Sequence, residues 1–223
     1  MTQGQIVGWA HSRFGKSEAA STEALMAEVI QPALDHAGVP AQAIDGIFVG
    51  CMNNGFSRQD FQAALPGMIA QDLATKPAVR LENACATGSA ALYAALDFIA
   101  AGRGEVALVV GVEKMTALPT AQVGDILLGA SYCAEEADVA GGFAGLFGRI
   151  AQGYFQSGAG IGGHLHGRIK KQQGVAAFIL GAVERHLGLF EQVVGCGRAG
   201  AEEGHAHAGG GVQPFGVPEV VGF

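Results

Sequence analysis

The stretch Leu81-Glu-Asn-Ala-Cys-Ala-Thr-Gly-Ser-Ala-Ala-Leu92 connects a predicted strand to a predicted helix. The strand covers residues 77–81, and the Ala-rich helix runs from Cys85 to Ala101 and stops at Gly102. Cys85 then lies on the first helical turn, where unsatisfied N–H groups and about half a positive charge favour a thiolate. We therefore predict that Cys85 is a nucleophile and that N–H groups of the same turn can hold a developing oxyanion.

Strands and helices alternate on both sides of this stretch. The predicted strands are residues 6–9, 44–50, 77–81 and 105–112, and the predicted helices are residues 21–38, 58–74 and 85–101. Ser21 or Thr22 is the expected N-cap of the first helix, and Gly38 is its expected end. The second helix is predicted from Phe61, Leu65, Ile69 and Leu73, which recur at helical spacing. This alternation is typical of an α/β layered fold.

The composition changes towards the end of the chain. Between residues 113 and 156 the pattern loosens into short helical pieces, which we interpret as a loop region or a cap over a site. Residues 158–223 lack Asp, Asn, Ser, Thr, Tyr, Met and Trp, yet they hold 17 of the 36 glycines and 5 of the 7 histidines. Caps and turns ordinarily use those missing polar residues. We therefore divide the chain into a domain of residues 1–156 and an atypical Gly/His-rich tail of residues 157–223.

Two interpretations of this tail remain open. It is either a Gly- and His-rich functional module or a segment translated out of its evolved reading frame. Its apolar runs, residues 175–180 and 186–190, could form a short helix, but Gly is costly in any regular element. We therefore expect no stable second domain in the tail, and early proteolysis at residues 157–175 and 195–211.

The overall composition excludes several classes of protein. The chain has 223 residues, of which 49% are hydrophobic and 15% charged, so it is not a disordered polyelectrolyte. Its 13 Lys and Arg against 20 Asp and Glu give a net charge of −7, which argues against a nucleic-acid partner. No apolar run is long enough for a membrane helix, and the N-terminus has no secretory signal. The four cysteines (Cys51, Cys85, Cys133 and Cys196) form no CxxC pair, which indicates reduced thiols in the cytoplasm.

Several motifs, in order along the chain, carry a family resemblance. Cys85-Ala-Thr-Gly-Ser-Ala-Ala91 resembles the nucleophile motif of the thiolases, and Gly111-Val-Glu-Lys-Met-Thr116 resembles the segment that follows their fourth strand. Residues 6–16, 33–38 and 44–50 are similar to the opening strand, the next helix end and the next strand. Residues 143–151 resemble the loop region of the sterol-carrier-protein-type branch. The resemblance covers about residues 5–156.

This resemblance implies a fold and a reaction. The fold is the N-terminal βαβαβ half of a thiolase, incomplete here, with helices on both sheet faces. Cys85 would accept the acyl group of an acyl-CoA as a thioester and pass it to a second coenzyme A or acyl-CoA in ping-pong order. Coenzyme A is a substrate of this reaction, and no metal or tightly held cofactor is implied. Residues 81–95 would form a homodimer interface.

The chain also departs from the family pattern. Thiolases carry a later Gly-His-Pro segment with an activating histidine, a second cysteine and a second α/β half, and none of these is in order here. His164 lacks the following Pro, and Cys196 lacks the surrounding motif. The family's fifth strand is also expected to be missing. We therefore expect little turnover, and a non-catalytic remnant that binds acyl-CoA or dimerises remains the alternative.

Two further patterns in the tail predict binding sites only weakly. Gly158-Ala-Gly-Ile-Gly-Gly163 fits the G-x-G-x-x-G fingerprint of dinucleotide-binding proteins, with Glu184 beyond it, but the preceding residues make a poor buried strand. A nucleotide site is thus a weaker alternative. Cysteine and histidine side chains that could bind a metal lack acidic partners and compact spacing, which favours adventitious binding. They are Cys196, His164, His166, His205 and His207.

Overall fold

The computed structural model describes residues 4–156 and 176–182, and it contains one five-stranded sheet. The strands are β1 (Gly4–His11), β2 (Gly46–Gly50), β3 (Ala78–Leu81), β4 (Val106–Gly111) and β5 (Ala176–Ala182). The helices are α1 (Thr22–Ala37), α2 (Pro66–Ile69), α3 (Thr87–Ala100), α4 (Thr120–Leu128), α5 (Cys133–Glu136) and α6 (Gly142–Gln156). The strand order is β1-β5-β4-β2-β3, with β2 parallel to both β3 and β4. The predicted α/β fold is confirmed.

Helix α1 has the ends that its sequence predicts. The Ser21 hydroxyl accepts a hydrogen bond from the Ala24 N–H at 3.3 Å, which satisfies one of the free donors of the first turn. Gly38 follows the helix with φ +64°, a left-handed conformation that glycine adopts without steric cost, and its N–H donates to the Asp35 carbonyl. The predicted limits of this helix are confirmed.

The sheet is covered on both faces, and each face has its own apolar core. On one face α1 packs against β1 and β5, and the core on this face contains the fully buried Ile30, Ile47, Leu108 and Ile179. On the other face α3 packs against β2 and β4, with the Phe48 and Phe98 rings 5.5 Å apart in an edge-on contact. Strand β2 is consequently buried along its whole length, as expected of a central strand in a parallel sheet.

The helix predicted over residues 58–74 is wrong. The structure has only the four-residue α2, flanked by single 3-10 turns at Gln62–Ala64 and Gln71–Leu73. Pro66 has no N–H to donate to an earlier turn, so a longer helix cannot continue through it. Phe61, one of the residues on which the prediction rested, is left-handed (φ +54°) and 81% exposed.

The expectation that the sheet's fifth strand is missing is also wrong. Strand β5 lies between β1 and β4 and pairs antiparallel with both, so that Ile179 is opposite Gly8 on one side and Leu108 on the other. The apolar run 175–180, expected to form at most a short helix, therefore supplies most of a strand that is buried within the sheet. The division of the chain after residue 156 stays a prediction, as do the proteolysis sites, which lie outside the described residues.

Candidate active site

Cys85 lies at the edge of the sheet where β2, β3 and β4 end. These three strands are parallel, so the segments that follow them meet at one edge. The chain leaves β3 at Leu81, makes a 3-10 turn at Ala84–Ala86 and enters α3 at Thr87. The Cys85 side chain is exposed on this turn. The predicted helix starts at Cys85, whereas the structure places Cys85 in the 3-10 turn and starts the 14-residue α3 two residues later. The cysteine nevertheless lies at the N-terminal end of this helix, after a strand, as the sequence predicts.

The turn that carries Cys85 is held in an uncommon backbone conformation. Ala84 has φ +45°, in the left-handed region that costs a non-glycine residue about 1 kcal/mol or more. The Thr87 hydroxyl donates to the Ala84 carbonyl at 2.6 Å and accepts from the Asn83 N–H at 2.8 Å. The Glu82 carboxylate accepts the Ala84 N–H at 2.6 Å. Three side-chain hydrogen bonds therefore keep the cysteine in a fixed, projecting position.

The start of α3 offers hydrogen-bond donors next to the thiol. Ala86 is the N-cap residue, and its methyl group cannot accept a hydrogen bond from the first helical turn. The N–H groups of that turn therefore point towards the cysteine end of the helix without a side-chain cap. Such groups can hold an anionic oxygen at the position where charge develops during attack on a carbonyl.

The turn also contacts the end of β2 closely. A Cβ atom placed on Gly50 would lie 3.2 Å from the Thr87 Cγ2 atom and 3.3 Å from the Thr87 carbonyl oxygen. The absence of a side chain at Gly50 thus allows the nucleophile turn to rest on the β2 backbone. Cys51 and Met52 follow Gly50 along the chain.

Two of the other thiols are placed differently from Cys85. Cys51 is buried, and burial raises the pKa of its thiol to about 12, with the nearby Glu113 carboxyl adding to that rise. Cys133 is exposed, but its thiol donates to the carbonyl oxygens of Leu128 at 3.7 Å and Ser131 at 3.6 Å. The Cys51 thiol is therefore buried and protonated, and the Cys133 thiol is engaged by two carbonyl oxygens, which leaves Cys85 as the best-placed nucleophile of the three.

A group of polar contacts at the same edge was not predicted from the sequence as a functional unit. The Glu113 carboxylate, just beyond β4, accepts the Met52 N–H and lies 3.9 Å from the Cys51 sulfur, which donates to it. Burial raises the pKa of Glu113 to about 7, although the Met52 N–H and the Arg80 guanidinium favour its charged form. Arg80 of β3 donates to the carbonyls of Cys51 and Met52 at 3.1 and 3.2 Å. A polar residue directly after a buried parallel strand is the signal that could have found Glu113.

Several candidate groups from the sequence lie outside the described residues. They are the glycine-rich motif 158–163, Glu184, Cys196, His164, His166, His205 and His207. Within residues 4–156 and 176–182, no cluster of three or more His, Cys, Asp or Glu side chains could hold a metal ion. In the same residues, no helix is both long and apolar enough to cross a membrane.

The comparison with protein families agrees with this geometry. Residues 5–143, more than half of the chain, match the family described as "Thiolase, N-terminal domain". The chain belongs to the thiolase family. The match includes the whole segment from β1 to the start of α6, and with it the Cys85 turn.

Two curated relatives of this thiolase chain are acetyl-CoA acetyltransferases of archaea. The protein of Methanocaldococcus jannaschii is 39% identical over 112 residues, which is 50% of this chain and 28% of that protein. The protein of Methanothermobacter thermautotrophicus is 32% identical over 112 residues, 50% of this chain and 29% of that protein. The matched segment thus spans less than a third of the length of either relative.

A solved structure shares the fold of this thiolase chain. It is the Ltp2-ChsH2(DUF35) aldolase, with a TM-score of 0.55 and 12% sequence identity. The likeness covers 82% of this chain and 56% of that chain. At this level of identity the likeness concerns the fold alone.

Alkylation should distinguish the three described thiols of this thiolase chain. We expect iodoacetamide to modify Cys85 first, then Cys133, and Cys51 last, because Cys51 is buried and its pKa is raised to about 12. Peptide mass spectrometry after short reaction times measures the order, and the same protein unfolded in urea is the control in which the differences vanish. Preferential labelling of Cys51 or Cys133 in the folded protein would contradict the assignment of Cys85.

Proposed function

We propose that this chain supplies the acyl-accepting cysteine of a thiolase-type acyltransferase. The Cys85 thiolate attacks the thioester carbonyl of an acyl-CoA, and the carbonyl oxygen gains negative charge. When the carbonyl re-forms, the bond to the coenzyme A sulfur breaks and coenzyme A leaves as a thiolate. The products are an acyl thioester on Cys85 and free coenzyme A. The thiolate of a second coenzyme A, or the α-carbanion that a second acyl-CoA forms when it loses a proton to a base, then attacks the acyl carbonyl. The bond to the Cys85 sulfur breaks, and the Cys85 thiolate is regenerated.

One observation carries this proposal. Cys85 is exposed on a turn fixed by Thr87 and Glu82 at the start of a long helix, in a chain that belongs to the thiolase family. A nucleophile needs access to its substrate, a fixed direction of attack and stabilisation of its anionic form. Exposure of Cys85 gives the substrate access to the thiol. The three side-chain hydrogen bonds fix the direction of attack, and the N-terminal end of α3 offers N–H groups to the anionic form.

The substrate class is proposed from the relatives. Both curated matches bear the name acetyl-CoA acetyltransferase, which supports a coenzyme A thioester as the acyl donor here. Coenzyme A enters this reaction as a substrate, and the mechanism requires no metal and no other cofactor. We assign the chain to the sterol-carrier-protein-type branch on its 143–151 segment, which forms part of α6.

We propose that the working protein is a homodimer formed through β3 and α3. Strand β3 is at the edge of the sheet, so its outer backbone groups can pair with a second copy. Val79 on β3 and Tyr93 on α3 are exposed apolar side chains on the two elements that flank Cys85. An interface along residues 81–95 would cover part of this surface.

A non-catalytic remnant is the second candidate, and one observation favours it. Across residues 4–156 and 176–182, the Cys85 thiol has no histidine or carboxylate as a hydrogen-bond partner. Without a base, the helix end alone must stabilise the thiolate, which is worth about 0.3–1 kcal/mol at an exposed position. Such a chain could bind acyl-CoA and become acylated once without efficient turnover.

Coenzyme A release separates these two candidates. With acetyl-CoA as substrate, we expect a burst of at most one coenzyme A per Cys85, followed by a slow rate. The slow phase reflects the lack of a base beside the Cys85 thiol among residues 4–156 and 176–182, since loss of a base typically costs roughly 10²–10⁴ in rate. Chromatography of the released coenzyme A measures both phases.

The Cys85→Ala protein is the control for this experiment, and it should show no burst. No burst from the unsubstituted chain would exclude the acyl-cysteine proposal. Sustained release at an ordinary enzymatic rate would instead show that the chain carries a working base, and it would exclude the remnant.

A further inference from the structure

The first two residues after β2 are held from both sides by charged groups. On the β3 side, the Arg80 Nε donates to the Cys51 carbonyl at 3.1 Å and the Nη2 donates to the Met52 carbonyl at 3.2 Å. On the β4 side, the Glu113 carboxylate accepts the Met52 N–H. A side chain of β3 and one just beyond β4 thus fix the same short piece of backbone.

This piece of backbone is the base of a longer segment, residues 51–61, which we call the β2 loop. The loop is tied internally: the Asn53 side chain accepts the Gly55 N–H at 2.8 Å, and the buried Gln62 donates to the Asn54 side chain at 3.2 Å and the Gln59 carbonyl at 3.1 Å. These bonds join the loop to itself and to Gln62, and the Thr22 hydroxyl of α1 donates to the Ser57 hydroxyl at 3.2 Å. The position of the loop relative to the sheet therefore depends on this attachment to α1 and on how the base of the loop is held.

The β2 loop forms one wall of a cavity of about 550 Å³. Gly55, Phe56 and Arg58 line that wall, and Leu118 with residues of α4 lines the opposite one. The loop follows β2 and α4 follows β4, so the cavity lies at the same edge of the sheet as the Cys85 turn. The loop base also adjoins that turn, because Gly50 is in contact with Thr87.

The contact made by Glu113 is costly if it serves folding alone. Burial raises the pKa of Glu113 to about 7, so this carboxyl holds its proton more tightly in the folded chain than in the unfolded chain. As the pH rises above the ordinary pKa of a glutamate, this difference lowers the free energy of unfolding. A neutral amide could accept the same N–H without that cost. The charge does, however, lie opposite the Arg80 guanidinium across the loop base, where the two together orient one peptide group precisely enough to fix a loop.

We propose that Arg80 and Glu113 are positioning residues for acyl transfer to Cys85. They fix the base of the β2 loop, which continues from Gly50 beside the Cys85 turn, and thereby set the position of the loop at the edge of the sheet where an acyl-CoA must reach that thiol. Neither side chain touches the reacting atoms. The inference rests on the proposed acylation of Cys85, and it adds the residues that align the donor with that thiol.

Two reactions of the same thiol test this role. Acetyl-CoA must be bound and aligned, whereas iodoacetamide is small and needs no binding site. In Glu113→Ala and Arg80→Ala we expect acetylation of Cys85 to be about 10- to 100-fold slower, the size of effect caused by a misplacement of about 1 Å. Alkylation of Cys85 should change less than about twofold, because the turn keeps its own hydrogen bonds to Thr87 and Glu82.

Conservative variants keep the test decisive. Glu113→Gln retains an oxygen that accepts the Met52 N–H but removes the charge opposite Arg80, so its acetylation rate should lie between those of the unsubstituted chain and Glu113→Ala. Arg80→Lys keeps the charge but cannot reach both carbonyls, so it should remain slow, and it carries the test if the alanine variants do not fold. Glu28→Ala, on the exposed face of α1, is the matched control and should behave as the unsubstituted chain.

The outcomes are distinguishable from failure of the proposed function. If the unsubstituted chain is not acetylated at all, the proposed function fails. If it is acetylated and the Arg80 and Glu113 variants acetylate at the same rate, the positioning role is excluded. Equal losses of acetylation and alkylation would also exclude the positioning role, because the substitution would then have changed the reactivity of the Cys85 thiol or the fold itself.

Discussion

Replacing Ile179 by aspartate should leave the protein unable to fold. The Ile179 side chain has 0% exposure and lies in the core beneath α1, on a strand that pairs with both β1 and β4. Burying an uncompensated carboxylate there costs several kcal/mol, which is comparable with the whole stability of an ordinary domain, about 5–15 kcal/mol. Far-UV circular dichroism during urea unfolding measures the loss.

Ile179→Val is the matched control for this substitution. It keeps the β-branched shape and removes one methylene, so it should cost only about 0.5–1.5 kcal/mol of the free energy of unfolding. If the aspartate variant unfolds at the same urea concentration as the unsubstituted chain, β5 is not in the sheet. The expectation that the sheet lacks its fifth strand would then be restored.

Strand β5 was missed in the sequence for a physical reason. A strand that is buried between two neighbours and covered by a helix reads as a continuous apolar run, without the alternation that marks a half-exposed strand. The run 175–180 has this character, and periodicity cannot tell it from a short buried helix. The unusual composition of residues 158–223 also argues against regular structure there, but it is an average over 66 residues. Strand pairing depends only on the seven residues of β5.

The local elements that carry the site were predictable, and the failure at residues 58–74 has a local cause. Capping and glycine signals gave α1 and α3 because they act within a few residues of each helix end. Apolar side chains at four-residue spacing favour a helix over residues 58–74, but Pro66 lacks the N–H that a helix extending through it would need. Spacing predicts a helix only where the backbone hydrogen bonds can also form.

The position of Cys85 between a strand and a helix could be predicted from the sequence, but the hydrogen bonds and the backbone conformation that hold it there could not. The left-handed backbone of Ala84 leaves no mark in a run of small residues, because Ala ordinarily avoids that conformation. The contact between Glu113 and the Met52 N–H joins residues 61 positions apart, so only the pairing of β2 with β4 brings them together. Side-chain contacts between strands depend on register, which the pattern of single elements does not define.

Loss of the Cys85 thiol has the largest expected effect on chemistry. In Cys85→Ala no acyl thioester should form at the site, because alanine offers no nucleophile and the buried Cys51 thiol stays protonated with its pKa raised to about 12. The substitution is small and the side chain is exposed, so the free energy of unfolding should change by no more than about 0.5 kcal/mol. Thermal unfolding of the variant checks that the fold is kept.

The most direct test of the acyl-cysteine mechanism is to find where acetyl-CoA leaves its acetyl group. The folded chain is incubated with acetyl-CoA, quenched in acid and digested, and each cysteine peptide is measured by mass spectrometry. Urea-unfolded chain treated in the same way is the control for uncatalysed reaction of exposed thiols. We predict one acetyl group as a hydroxylamine-sensitive thioester on Cys85, formed faster than on any other thiol and absent from Cys85→Ala. Acetylation of Cys51, Cys133 or Cys196 in preference to Cys85, or no difference between folded and unfolded chain, would contradict the mechanism.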